Sequence, residues 1–254
     1  MKHISFSEVK NWDRCPYYHK LVNLDKLKLF KGNEYTAFGN AVHNTCESML
    51  LNEHLKEPEY FINQYKKALK KLADDNYKFN KKLALEMKSQ GLELLPQILP
   101  ALKKYFGKYE VFATEEALFE TMSSEDYKFK GYVDLVLKTE DGKYHIIDWK
   151  TCSWGWNHKK KFDKMTTYQL TYYKHFLTQK YNIDPKDVET HFALLKRTAK
   201  ENKVELFRVS SGEKKTQNAL NFLEKAIYNI SNKNFIKNRL SCRNCEFYKT
   251  KHCT

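Results

Sequence analysis

The spacing of apolar and polar residues divides the chain into a helical first part and a mixed second part. Ser5 and Glu8 have the spacing of a capping box and predict a short helix that ends near Pro16. A second helix is predicted from about 37 to 51, and residues 57–106 carry long helical patterns with Lys and Glu along the polar side. We expect this longer stretch to form an all-helical lobe.

Beyond Val111 the chain has the shorter period and the β-branched residues of strands. VFATEEALFE, YKFKGYVDLVLK and KYHIIDWKT predict three strands, and the turn residues EDG at 140–142 predict an antiparallel hairpin between the last two. Next come a helix over DKMTTYQLTYYKHFLTQKY, strands over VETHFALLKR and KVELFRVS, and a helix over 212–232. The tail from Leu240 is short, cysteine-rich and irregular.

The composition is that of a globular protein long enough to bury a core without disulfides, with 254 residues of which 41% are hydrophobic. A formal net charge of +14 attracts polyanions such as nucleic acid or acidic lipid. Lysine richness can also reflect nucleotide bias in a genome, so charge alone does not decide the partner. No apolar run approaches the roughly 20 residues that span a bilayer, and the first residues lack the apolar segment of a secretory signal. We therefore expect a cytoplasmic protein with no membrane partner.

Asp148 and Lys150 fall on one face of a predicted strand, at the end of an apolar run. Because side chains alternate across a strand, these two point the same way, roughly 6 to 7 Å apart. In the preceding strand Asp134 shares a face with Val136, and the hairpin can bring it beside Asp148. Two carboxylates that converge without a nearby arginine repel each other, and a hard divalent cation neutralises such a pair.

A lysine beside two metal-binding acids suits phosphate hydrolysis, because the metal activates a water and the ammonium balances charge on the phosphate. The alternative for an isolated D-x-K is an ordinary salt bridge at the end of a strand. Gly39, His43 and Glu47 recur every four residues along one helix, where the glycine permits a close crossing and the histidine can reach a metal or simply pack. Gln169 and Tyr173 share a face of a later helix.

Taken in order, the motifs G-x-x-x-H-x-x-x-E, G-x-x-D, D-x-K and Q-x-x-x-Y resemble those of the RecB-like branch of the PD-(D/E)xK nuclease superfamily. The resemblance covers nearly all of the chain. It implies an α/β fold of the restriction-endonuclease type, with a central mixed sheet flanked by helices. It also implies a single domain over 1–254 with a helical insertion at 52–108.

The same resemblance implies the site residues. Metal would be held by His43, Asp134 and Asp148, and Trp149, inside the D-x-K motif, is counted with the metal-binding positions. Lys150 would be catalytic together with the two acids. The supporting residues would be Gln169 and Tyr173. Glu47 matches the helical motif, but its role is less defined. Glu116 is a further candidate ligand, with its neighbour Glu115 as the alternative.

Six cysteines in a chain expected in the cytoplasm favour metal ligation over a disulfide framework. Cys242 and Cys245 have the C-x-x-C spacing that grips one metal, and Cys253 follows. The fourth ligand could be His252 or Cys15, and spacing does not separate zinc from an iron–sulfur cluster.

A further resemblance, to the CRISPR-associated and AddB-type nucleases, concerns these cysteines. Those relatives have one cysteine before the nuclease core and three after it, and they hold a 4Fe-4S cluster. The resemblance implies that the cluster joins segments 1–20 and 240–254, and the ligands it implies are Cys15, Cys242, Cys245 and Cys253. Cys46 and Cys152 are expected to be packing residues.

The function that the resemblance implies is a Mg²⁺- or Mn²⁺-dependent DNA nuclease, an exonuclease acting on single strands or DNA ends in recombination, repair or replication. A helicase or recombination partner is implied because the chain lacks a G-x-x-x-x-G-K-S/T loop. Trp154 and Trp156 beside a lysine run suit stacking on unpaired bases, or are buried instead. Lysines at 66–71 form a stripe that contacts DNA or is only solvated. The rival interpretations are a noncatalytic zinc-containing nucleic-acid-binding protein and a nuclease-like subunit of a DNA-processing complex.

Overall fold

The computed structural model describes residues 2–52, 54–122 and 126–254. A six-stranded mixed sheet lies at the centre of these residues, with helices on both faces. The strands are β1 (Lys2–Ser5), β2 (Tyr109–Thr121), β3 (Tyr127–Thr139), β4 (Tyr144–Cys152), β5 (Val188–Lys196) and β6 (Val204–Val209). The helices are α1 (Phe6–Arg14), α2 (Pro16–His19), α3 (Glu34–Leu51), α4 (Glu57–Asp74), α5 (Lys81–Leu94), α6 (Ile98–Phe106), α7 (His158–Lys161), α8 (Lys164–Tyr181) and α9 (Glu213–Ser231).

Strand β3 has three partners, and this leaves a gap in the sheet. Along one side it pairs antiparallel with β2 over nearly its whole length. Along the other side, residues 127–130 pair in parallel with β1 and residues 135–138 pair antiparallel with β4. Within the described chain, residues 131–134 have no strand partner on that side, while β4 continues beyond Ile147 beside β5 alone.

The alternation of side chains along the central strands separates two apolar cores. On one face, Ile146 of β4 and Phe129 of β3 pack with α1, α8 and α9. On the other face, Leu135, Ile147 and Trp149 pack with α3, α4, α5 and α6, which form the helical lobe. Helix α8 connects β4 to β5, and because these two strands are parallel it must cross one face of the sheet.

An aromatic cluster holds the lobe together. The rings of Phe61 and Tyr65 are stacked with centroids 5.8 Å apart, and Phe38 meets Phe61 edge-on at 6.0 Å. Gly91 of α5 lies against this cluster. A Cβ atom at position 91 would lie 2.3 Å from Cζ of Phe61 and 3.1 Å from Cε2 of Phe38, so only a glycine fits without moving the rings.

The two ends of the chain pack against each other. Ser241 Oγ and Asn238 Nδ2 both donate to the carbonyl of Arg14, at 2.7 and 2.9 Å. Tyr17 Oη donates to the carbonyl of His252 at 3.1 Å, and Tyr18 Oη donates to Glu246 at 2.8 Å. The tail is therefore tied to α1 and α2 by hydrogen bonds across more than 200 positions of sequence.

The α/β class with a central mixed sheet, expected from the sequence, is confirmed. The capping box of Ser5 and Glu8 is formed, and the predicted hairpin joins β3 to β4. The run at 57–106 is divided into α4, α5 and α6, and strand β1 was not predicted. Only one of the four residues of β1, Ile4, is buried, so the strand carries almost no alternation signal. In the described ranges we find no helix with both the length and the apolarity to span a bilayer.

Replacing Gly91 with Ala tests the packing of the lobe. Alanine favours a helix by about 1 kcal/mol over glycine, but the new Cβ overlaps the buried Phe61 ring, and overpacking of this kind costs about 1–3 kcal/mol. We expect Gly91→Ala to lower the urea midpoint with an unchanged m-value. Gly212→Ser is the control, because a Cβ at 212 meets nothing within 4 Å and serine is a good N-cap for α9. A Gly91→Ala protein as stable as wild type would contradict this account of the cluster.

Candidate active site

Asp134 lies in the gap between β1 and β4. Its Oδ2 atom accepts a hydrogen bond from the backbone N–H of Trp149 at 2.8 Å. Trp149 is beyond the last residue of β4 that pairs with β3, so the carboxylate takes the place of a strand partner. The indole of Trp149 is buried in the lobe core, and it is therefore the backbone of Trp149 that reaches this site.

Asp148, on β4, lies on the same face of the sheet as Asp134, and its side chain is buried, with 1% exposure. Gln169 Nε2 donates to Asp148 Oδ1 at 2.8 Å and to Tyr173 Oη at 3.2 Å. Lys150 Nζ forms an ion pair with Asp148 Oδ2, but this buried oxygen accepts no hydrogen bond of ordinary geometry from the described residues. Tyr173 packs over Gly131, where a Cβ would lie 3.0 Å from its ring. The predicted acid, lysine, glutamine and tyrosine thus lie together.

Helix α3 brings His43 to the same place. The Nδ1 atom of His43 is 3.8 Å from Asp134 Oδ2, too far for a hydrogen bond but close enough for a shared ligand. Gly39, one turn earlier, faces β4 closely, since a Cβ there would lie 3.3 Å from Thr151 Oγ1. The helix approaches the strand on its glycine side and presents the histidine near the backbone of Trp149.

The electrostatics of the site favour neutral groups in the absence of a cation. Burial, and then the neighbouring charge of Asp148, raise the pKa of Asp134 well above its usual range. Burial also lowers the pKa of His43, although Asp148 acts in the opposite direction. Asp134 is therefore inclined to hold a proton and His43 to lose one, so that a cation entering the site would displace a proton from the acid.

The donor set fits a hard divalent cation. Two carboxylates repel each other there, one of their buried oxygens lacks a hydrogen bond, and an imidazole nitrogen lies beside them. The ligand atoms of His43, Asp134 and Asp148 are not all within 4.8 Å of one another, so a shared ion requires side-chain movement. Among the described residues, the His/Asp/Glu/Cys group that does meet this distance lies elsewhere, on β4 and β5.

The expectation that Glu116 is a further ligand is wrong. Its carboxylate pairs with Lys180 and accepts a hydrogen bond from Tyr181 Oη at 2.7 Å, at the far end of α8. Strand β2 has a register shift between Val111 and Ala113, and after it Thr114 pairs with Leu135 and Glu116 with Val133. Glu115 therefore lies across from Asp134 and shares its face.

Glu115 is the glutamate of β2 that lies near the site. Its backbone is in the left-handed region, with φ of 47°, an unusual conformation for a non-glycine residue. Partial burial, followed by the charges of Glu47 and Asp148, raises the pKa of Glu115. Glu47 of α3 therefore lies close to it as well. The sequence offers Glu115 and Glu116 as alternatives, and the register of β2 with β3 separates them.

The four predicted cluster cysteines line one cavity between α1, α2 and the tail. The backbone N–H of Asn238 donates to Cys15 Sγ at 3.3 Å. All six cysteines are free thiols, and no three of their sulfurs lie mutually within 4.8 Å. His252, the alternative fourth ligand, does not line the cavity. Cys46 is buried in the lobe core and Cys152 packs against the other core.

The two tryptophans after β4 have different environments. Trp154 is 78% exposed. Trp156 packs against Phe192 with ring centroids 5.0 Å apart, and Lys160 lies 4.6 Å from its centroid. Of the two indoles, that of Trp154 is therefore the one accessible for stacking on unpaired bases. The lysines at 66, 67, 70 and 71 are all exposed on α4.

A mixed sheet that presents two acids and a lysine on neighbouring strands, flanked by helices, defines a class of metal-dependent nucleases. The sequence profile of the PD-(D/E)XK nuclease superfamily matches residues 3–250, and the chain belongs to this superfamily. No curated protein matches the chain. The substrate class is therefore nucleic acid, and members of the superfamily use divalent metals.

A solved structure of a candidate exonuclease shares the fold. A candidate exonuclease from Eubacterium rectale matches with a TM-score of 0.61 at 14% identity, over 96% of this chain and 86% of its own. The protein SSO0001 matches with a TM-score of 0.39 at 16% identity, over 83% of this chain and 82% of its own. At these identities the likeness concerns the fold alone, and the second carries no argument.

Asp134→Asn tests the electrostatic strain in the metal-free site. Since the folded-state pKa of Asp134 is raised, the stability that its protonated form provides is present below about pH 4 and is lost as pH rises through the raised pKa. Asparagine stays neutral and still accepts from the Trp149 N–H. We expect the variant to be more stable than wild type by about 1–3 kcal/mol at neutral pH, with the difference vanishing in acid.

Urea unfolding in chelator across this pH range measures the effect. The exposed Glu224 provides the control, because Glu224→Gln removes a carboxylate from α9 outside the site. If Asp134→Asn were no more stable than wild type at neutral pH, the strain inferred at Asp134 would be absent.

Proposed function

We propose that the chain is a Mg²⁺- or Mn²⁺-dependent deoxyribonuclease that acts as an exonuclease on single-stranded DNA or DNA ends. One observation carries the proposal. In the gap of the sheet, the buried Asp148 leaves one carboxylate oxygen without a hydrogen bond, with Asp134 on the neighbouring strand and Lys150 beside it. Two buried carboxylates beside a single ammonium leave negative charge uncompensated, and a bound divalent cation would neutralise it.

Each residue of the site has a distinct task. Asp134, Asp148, His43 and the backbone of Trp149 would hold the ion, which when bound supplies a more acidic water and neutralises phosphate charge. Lys150 holds its ammonium at the site, where it orients the attacking water or balances charge on the phosphate. Gln169 fixes the carboxylate plane of Asp148, and Tyr173 fixes Gln169 in turn.

Several positive groups lie where a phosphate backbone would approach. The pKa of Lys10 on α1 is lowered by burial and then by the charges of Lys150 and Lys160, so both of these ammonium groups repel that of Lys10. A bound phosphate would relieve their mutual repulsion. The net charge of +14 supports a polyanionic substrate in the same way.

The preference for unpaired DNA is supported by Trp154. This side chain is exposed on the loop that leaves β4, two residues after the end of the strand that carries Lys150. An exposed indole beside lysines stacks on bases that are not paired. Exonuclease action is further supported by the shared fold with the candidate exonuclease from Eubacterium rectale.

We also propose that Cys15, Cys242, Cys245 and Cys253 hold a 4Fe-4S cluster. Their common cavity supports this, as does the N–H donated to Cys15 Sγ. The cluster would staple segments 1–20 and 240–254 of a single domain.

We also propose a biological setting in recombination, repair or replication, where single strands and DNA ends arise. A helicase or recombination partner that opens duplex DNA would supply the single-stranded substrate. The noncatalytic alternative is opposed by the presence of every acid, lysine and histidine of the motif set near one gap.

Lys150→Ala tests the proposed chemistry. Removing the ammonium should lower cleavage of end-labelled DNA about 1,000-fold in Mg²⁺ or Mn²⁺, because transition-state charge is left unbalanced. Binding of the same DNA, followed by fluorescence anisotropy in Ca²⁺, should change little. Lys225→Ala, which removes an exposed lysine from α9, should cleave as wild type does. Undiminished cleavage by the Lys150 variant would remove the basis for the proposal, and labelled single and double strands compared side by side would establish the preferred substrate.

Cys242→Ser tests the cluster. Wild-type protein purified without oxygen should be brown and carry about four irons, and the variant should be colourless, iron-poor and less soluble. Cys152→Ser is the control, since Cys152 is outside the cysteine cavity and should leave iron content unchanged. Colourless wild-type protein that contains zinc would favour the zinc-containing alternative instead.

A further inference from the structure

A second polar cluster lies on the lobe face of the sheet, where β4 and β5 begin. The parallel register of these strands aligns His145 with Glu189 and Ile147 with His191. Both histidines are buried, at 7% and 2% exposure. Because side chains alternate along β4, His145 and Asp148 point to opposite faces of the sheet. The cluster is therefore separate from the candidate active site.

The three ligand atoms of this cluster have the spacing of a coordination shell. His145 Nδ1 is 3.2 Å from His191 Nε2 and 3.9 Å from Glu189 Oε2, and His191 Nε2 is 3.8 Å from Glu189 Oε2. A circle through three atoms at these distances has a radius of about 2.1 Å, which matches zinc bonds of about 2.0–2.2 Å to nitrogen and oxygen. One ion could contact all three atoms without a change of backbone.

The protonation of the cluster suits metal binding. The single hydroxyl proton of Thr139 is engaged by Asp141, so Thr139 Oγ1 accepts from His145 Nε2 at 3.0 Å. The neutral His145 ring then keeps a lone pair on Nδ1, directed toward His191 and Glu189. A metal-binding histidine is usually oriented by an acceptor for its outer N–H, and Thr139 Oγ1 has that position here.

The charged groups around Glu189 contact its Oε1 atom, and the two histidines are near its Oε2 atom. Arg208 NH2 lies 3.1 Å and Lys143 Nζ lies 3.7 Å from Oε1 of Glu189, whereas both histidine contacts are to Oε2. The two cations thus fix the carboxylate without occupying the position between the three ligand atoms. His191 Nδ1 is buried and has no hydrogen-bond partner among the described residues.

The cluster opens onto a cavity of about 430 Å³ between α6, the β3–β4 turn and the start of β5. The residues that line it beside the cluster include Phe106, Gly107, Thr139, Asp141 and Arg208. Three protein ligands and an adjacent cavity leave a coordination position for water or another small ligand. The cavity also provides the path by which an ion would enter.

We propose that His145, Glu189 and His191 form a second metal site, which binds Zn²⁺ or a similar divalent transition-metal ion. Two imidazole nitrogens and one carboxylate are a donor set of zinc and of other first-row transition metals, whereas Mg²⁺ requires mostly oxygen ligands. The ion joins β4 to β5 next to α6. It would thereby link these two strands at the end of the sheet that is remote from Asp148.

Equilibrium dialysis with Zn²⁺ tests the site on the full chain with its cysteines intact. His191→Gln and Glu189→Gln should each bind about one zinc equivalent less than wild type. His175→Gln, which removes a partly buried histidine from α8, is the matched control and should bind as much as wild type. Because the comparison is between variants that share all other zinc-binding groups, the cysteines and the candidate active site do not affect the difference. Equal zinc content in wild type and both variants would overturn the proposal.

A measurement on wild-type protein covers the case in which the variants fail to fold. Crystals soaked in Zn²⁺ should give an anomalous peak at the zinc edge within bonding distance of His145 Nδ1, His191 Nε2 and Glu189 Oε2. A zinc-soaked crystal without a peak at this position would equally refute the site. Neither measurement depends on nuclease activity, so the result is independent of the proposed function.

Discussion

The architecture depends on one edge of β3 being shared by two strands that do not meet. Since β1 pairs with its first part and β4 with its last part, residues 131–134 between them keep an open side. An open strand edge inside a fold must find other partners for its polar groups. Here the carboxylate of Asp134 serves the facing edge of β4 by accepting from the Trp149 N–H, and Tyr173 covers Gly131. The break in the hydrogen-bond ladder is therefore where Asp134 and Asp148 lie.

The site is therefore held together by groups that stabilise the fold poorly. Asp148 is buried beside a second carboxylate, and the compensation comes from Gln169, which bonds to one oxygen, and from Lys150, which lies beside the other. Such an arrangement lowers the free energy of unfolding, but it holds the charged groups of the site in fixed, preorganised positions. The surrounding apolar cores on both faces of the sheet supply the rigidity that it needs.

Local sequence patterns predicted much of the fold and part of the candidate site. The alternation in β3 and β4 and the turn at 140–142 predict the hairpin, and the four-residue spacing on α3 and α8 predicts which helical side chains face inward. Features that depend on distant segments were not accessible in this way. The alignment of His145 with Glu189 arises from the parallel register of β4 and β5, which are separated by α8. Similarly, β1 is too short to carry a periodic signal, and without it the gap in the sheet cannot be inferred.

The irregularity in β2 has a consequence for how this strand can change. Phe112 is an extra residue of β2: it has no partner on β3 between the pairs Val111–Leu137 and Ala113–Val136. The bulge lets β2 accommodate one extra residue while every later residue keeps its partner on β3. Loss of Phe112 would therefore leave a regular strand in which Glu115 still lies across from Asp134. Loss of Thr114, which follows the bulge, would instead place Glu116 across from Asp134 and Glu115 across from Leu135, so the neighbouring glutamate would border the acids.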